Sequence, residues 1–156
     1  MQSVLLTWRD APFEPTGGGW IASPLGAYAA DRSLTGKATF SFVCRYQKGA
    51  TVPTGNTVFE FQTASFKFQS TSYDWLVISG AKAQYRGSGS INGAGDVGFL
   101  LSAIDGEVSG GGGIDKFRIQ VWDKTTSSVM YDNQMGDGET ADPSTQLGGG
   151  DIVIHS

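Results

Sequence analysis

GGGGIDKFRIQVWD, residues Gly110 to Asp123, decides the fold class of this chain. Four glycines lead into a strict alternation. Phe117, Ile119 and Val121 fall on one face; Lys116, Arg118, Gln120 and Trp122 fall on the other. Period-two alternation marks a strand with one face in a core and one in water. The glycine run invites a phosphate-loop reading, which fails on context. No Lys-Ser/Thr pair follows, and a strand stands where a helix N-terminus would hold the phosphate. The run reads as a tight strand connection.

The pattern extends outward from this strand. Lys124 to Ser127 reads as a turn and Ser128 to Asn133 as a hairpin partner. Gly36 to Gln47 alternates strongly, with Ala38, Phe40, Phe42, Cys44 and Tyr46 on one face. Phe59/Phe61 and Phe66/Phe68 differ in parity, so a bulge or tight turn at Thr63 to Ser65 must restore the phase. Tyr73 to Ser79 reads as a central strand covered on both faces. Ala81 to Arg86 and Val97 to Asp105 alternate on either side of an Asn92-Gly93 turn signal. Asp10 to Gly19 and Gln134 to Gly150 read as loops. Ser3 to Trp8, Trp20 to Tyr28 and Asp151 to His155 read as short or edge strands. The fold expected is all-β: an antiparallel β-sandwich, jelly-roll or Ig-like Greek key, of about nine or ten short strands. Residues 1–156 are expected to form one such domain.

Composition agrees. Glycine contributes 23 of 156 residues, about twice the usual ~7%. Aromatics at 12% set the chain apart from a flexible glycine-rich linker, which lacks the side chains for a core. The net charge of −4, with no Lys/Arg cluster, argues against nucleic acid as a partner. No run approaches the ~18 apolar residues of a membrane helix. Met1 to Pro12 lacks the basic and apolar regions of a signal peptide. If the chain is a segment cut from a longer one, any export signal stays with the parent.

The chemistry-bearing residues are few. A Ser/His/Asp triad would have to place its only base, His155, at the end of the chain, and one histidine with one cysteine, Cys44, leaves no multi-histidine zinc site. Cys44 reads as a small apolar filler. Glu14, Glu60, Glu107 and Glu139 show no pairing of the kind a glycosidase needs. A hydrolase is the remotest reading, and the expectation is a chain that is not an enzyme. Asp105, Asp115, Asp123 and Asp132 all lie near strand ends. Asp115 and Asp123 share the parity of the core residues, so they need partners. Backbone N–H groups in turns, a Lys or Arg, or a calcium ion with oxygen ligands would each serve; no cofactor is required. For ligand binding, Trp122 on the polar face is the leading residue, with Tyr131, Trp75 and Tyr73 beside it. Trp75 and Tyr73 are expected to share a strand face.

The runs GKATFSFVCRYQKGATVPTGNTVFEF, STSYDWLVISGAKAQYRGSGSING, IDKFRIQVWDKTTSSVMYDNQMG and LGGGDIVIH, spanning Gly36 to His155, resemble a glycine-rich C-terminal module of large exported bacterial proteins, the post-COAP-type domain. Cys44 is a departure from that pattern. The resemblance implies an extracellular or cell-surface location within a longer parent chain, often behind Ig-like or PKD-type repeats. It brings no catalytic residues. The leading functional expectation is a structural, adhesion or accessory module whose partners are neighbouring domains, with a glycan or another protein as further candidates. The alternative is a carbohydrate-binding module, calcium-stabilised or not.

Overall fold

The structure, a computed structural model, describes residues 14–155. The strand expected at Ser3 to Trp8 lies outside them. Ten strands follow in order: β1 (Glu14–Ser23), β2 (Gly36–Arg45), β3 (Thr54–Phe61), β4 (Phe66–Ser79), β5 (Lys82–Ile91), β6 (Ala94–Ile104), β7 (Lys116–Asp123), β8 (Val129–Asp132), β9 (Thr145–Gln146) and β10 (Gly149–His155). A single 3₁₀ turn, Gln62–Ala64, is the one helical element among the described residues. The chain is thus all-β, as its alternation predicts. One antiparallel sheet holds every strand, in the order β10-β1-β2-β3-β4-β5-β6-β7-β8, with β9 also on β7. Strands β1 to β8 form a meander, where an Ig-like or jelly-roll exchange of strands was the expectation. The one long return brings β10 back beside β1, the same move that closes a Greek key.

The sheet is not closed into a barrel; it folds over so that its two halves face each other. Phe40 of β2 stacks on Phe117 of β7, with ring centroids 4.2 Å apart. Phe59 of β3 meets Tyr131 of β8 at 4.7 Å, and Phe68 of β4 meets Phe99 of β6 at 4.8 Å. The long β4 carries two register shifts, Ser70/Ser72 and Tyr73/Trp75. Bulges of this kind bend a strand and let it serve both layers of a sandwich. The phase problem between the two phenylalanine pairs is solved at the 3₁₀ turn, where Ser65 takes a left-handed φ of 52°. The Asn92-Gly93 signal is a tight hairpin with φ of 53° and 80°, joining Ile91 to its partner Ala94.

Two glycine-rich stretches read as loops or turns lie inside strands. Gly17 to Gly19 belongs to β1, and Gly87 and Gly89 belong to β5. Gly17 faces the core, and a Cβ there would sit 2.5 Å from the Phe42 ring. A Cβ on Gly89 would meet the Phe68 ring and the Gln69 carbonyl, both at 2.4 Å, whereas one on Gly87 would meet the backbone of β4 first, Ser72 O at 2.1 Å. The missing side chains at Gly17 and Gly89 are space for aromatic rings, which is why glycine and aromatic richness occur together.

Cys44 is fully buried among these rings. Burial, with the Glu14 carboxylate adding to it, pushes its thiol well above the ordinary range. The folded protein should therefore resist a thiol-labelling reagent and take it up only as urea unfolds it. Rapid labelling of the native protein would contradict this placement.

Both edges of the sheet are covered. At β8, the Ala29 N–H donates to Met130 and the Asp132 N–H to Ala27 O, at 3.1 and 3.0 Å. At β10, the outward N–H groups of Ile152 and Ile154 donate to the carboxylates of Asp115 (2.8 Å) and Asp105 (2.9 Å). Along β7, the gap between β8 and β9 is filled by one side chain. The Asn133 carboxamide accepts from Ile119 N–H at 2.8 Å and donates to Phe117 O at 2.9 Å, imitating a peptide unit of the ladder. No helix among the described residues is long and apolar enough to cross a membrane.

Candidate functional site

The outward face of β5, β6 and β7 is where β7's polar residues lie. Arg118, expected to be solvent-facing, is buried. Its guanidinium grips Asp132 of β8 with Nε to Oδ1 at 3.0 Å and Nη2 to Oδ2 at 2.9 Å. Its remaining donors reach the carbonyls of Gly138 (2.7 Å) and Asp137 (3.0 Å). Gln84 donates to Glu139 O at 2.8 Å, and Lys82 to Thr140 O at 2.9 Å. The 134–144 segment, read from sequence as an open polar loop, is thus fastened across the outer face.

The four aspartates are explained by hydrogen bonding and one ion pair. Asp105 accepts from Glu107 and Ile154 N–H; Asp115 accepts from Gly106 and Ile152 N–H. Asp123 caps the following turn through Thr125 and Thr126 N–H. Asp132 holds Arg118. The four do not converge, and no group of three or more His, Cys, Asp or Glu side chains among the described residues is placed to share a metal ion. The turn-cap and arginine readings therefore account for these acids without a shared calcium site.

The four aromatics divide evenly. Tyr131 is fully buried, its hydroxyl 2.8 Å from Ser23 Oγ, and burial pushes that hydroxyl's pKa up. Tyr73 is also in the core, its hydroxyl 3.0 Å from Thr57 Oγ1 and 2.8 Å from Ser70 Oγ. The expected shared face of Tyr73 and Trp75 is broken by the bulge between them. That bulge leaves Trp75 outward, opposite Arg86, and half-buried. Tyr131 is closed to a ligand, whereas Tyr73, largely buried, lines an open depression of ≈ 320 Å³ with Val52, Pro53 and Thr71.

Trp122 is likewise half-buried on the outer face. Its indole lies against Gly98, its cross-strand partner on β6, so closely that a Cβ on Gly98 would intrude on the ring. The Arg86 guanidinium lies over the indole, 5.0 Å from its centroid, in a cation–π contact. Two open depressions meet at this residue pair. The smaller, of ≈ 240 Å³, continues past Gln120 and Val129 to Glu139 on the fastened segment. The larger, of ≈ 420 Å³, continues past Ser88 and Gly98 to Asp74 and Lys124. Both volumes lie near the lower end of the range for small-molecule sites. Each cation in the cleft has a carboxylate beside it: Arg86 and Asp74 at 3.9 Å, Lys124 and Asp96 at 3.1 Å.

Gln120, beside the cleft, keeps one side-chain atom unsatisfied and closed to solvent. Its Nε2 donates to Asp132 Oδ2 at 3.3 Å, and a carboxylate only accepts, so the carboxamide's orientation is set. Its Oε1 is buried with no hydrogen-bond partner, the only such side-chain atom among the described residues. Arg86, Gln120 and Asp74 escaped the sequence reading. Gln120 was within reach, since it shares the parity of Trp122. Arg86 and Asp74 arrive by strand pairing and a bulge, which no local pattern announces.

No protein-family model, curated protein or solved structure matches the chain.

Proposed function

We propose that the chain is a non-catalytic accessory or adhesion module of an exported bacterial protein, and that it works outside the cell by holding a carbohydrate in the Trp122 cleft. The observation that carries this reading is the indole itself. A large flat side chain stands half-buried on a polar face, seated on Gly98 with the Arg86 guanidinium over its ring and amide, carboxylate and hydroxyl groups nearby, and a sugar that stacks on the indole takes the guanidinium's place. Sugars present apolar C–H faces to aromatic rings and hydroxyls to such polar groups, and a shallow cleft of this composition matches both. The covered sheet edges support a role through this face rather than through strand-to-strand assembly. The resemblance to exported glycine-rich modules supports the location and neighbouring domains as further partners.

A glycan array probed with the whole chain tests the reading. Binding is expected, with a loss of at least about tenfold in Trp122→Ala, equivalent to about 1.4 kcal/mol. Gly98→Ala leaves the tryptophan in place but pushes its ring off the sheet, and should reduce binding comparably while shifting indole fluorescence. Ser41→Ala, on the exposed face of β2, is the neutral control. An array with no bound glycan, or binding that survives Trp122→Ala, would overturn the proposal.

A further inference from the structure

The shape of the cleft narrows the ligand class, on the basis of the glycan reading above. The two depressions share Arg86, Trp122 and Ser127, so they are contiguous and lie on either side of one residue pair. One runs toward Glu139 on the segment fastened over the sheet. The other runs toward Asp74 at the bulge of β4. The cleft therefore crosses the strands, from β8 to β4, with its aromatic in the middle and not at a closed end. Both depressions are open to solvent. The cations are already paired with carboxylates, which leaves the cleft without an uncompensated positive charge for an anionic ligand.

We propose that the cleft takes the interior of an extended, neutral polysaccharide, with at least two linked sugars bound, one in each depression, and Trp122 between them.

The experiment is titration calorimetry on the full chain with neutral monosaccharides and matched linear oligomers of increasing length. Uronic-acid oligomers of the same lengths serve as the charged comparison. Affinity is expected to rise by about tenfold or more between the monosaccharide and the oligomer that fills both depressions, then level off. Reducing and capped ends should bind alike. Glu139→Ala, whose side chain is exposed, should cost the longer oligomers a larger factor than the monosaccharide. Equal affinity for monosaccharide and oligomer, tighter binding of the uronic-acid series, or a strict demand for a free chain end would each overturn this inference while leaving the glycan reading intact. Failure of every glycan to bind would overturn both.

Discussion

Replacing Arg118 by alanine is expected to cost about 3–5 kcal/mol, a large share of the ~5–15 kcal/mol that holds a domain together. The reason lies in what is left behind. Asp132 is almost fully buried, and the guanidinium is its counter-charge as well as a two-point hydrogen-bond partner. Without Arg118 a carboxylate stays buried beside Gln120 and the Gln134 N–H alone. The carbonyls of Asp137 and Gly138 lose their donor at the same time, so the segment that walls the cleft is loosened. Urea unfolding measures the loss. A double replacement, Arg118→Met with Asp132→Leu, should retain more stability than Arg118→Ala, because it removes both charges and keeps the volume. A shift below about 1 kcal/mol for Arg118→Ala would show that the pair is not the buried anchor described above.

Asp115→Ala should have an effect of similar size, roughly 3–5 kcal/mol, from two charge-assisted hydrogen bonds of about 1.5–3 kcal/mol each. One carboxylate oxygen holds Gly106 N–H in the turn after β6; the other holds Ile152 N–H on β10. Asparagine at this position keeps one acceptor and turns an NH₂ toward the second N–H, so Asp115→Asn should recover only part of the loss. Amide hydrogen exchange gives a local readout. Ile152 should lose protection first, followed by its neighbours on β10, while β6 and β7 stay protected. Uniform loss across the sheet would mean that Asp115 holds the whole fold and not this edge.

Much of the sandwich could be read because alternation reports burial directly. Phe117, Ile119 and Val121, and Ala38, Phe40, Phe42 and Cys44, all lie in the core as their parity requires. Glycine misled where it served as volume instead of punctuation, at Gly17, since its partner ring, Phe42, comes from another strand. Parity also placed Arg118 in solvent. A covering segment that arrives from residues 134–144 leaves no period in β7 to betray it. For the site, Trp122 was visible as an aromatic on a polar face. The loss of Tyr73 and Tyr131 to the core, and the arrival of Arg86, turn on bulges and on register, which depend on contacts between distant strands.

The pairing of β10 with β1 also decides how the module would respond to force. Glu14 lies opposite His155, and six further pairs follow, to Trp20 and Gly149. The strand that leads in and the strand that leads out therefore have neighbouring ends. Tension applied at Glu14 and His155 would open these pairs one after another, as a zip opens, and would not shear them together.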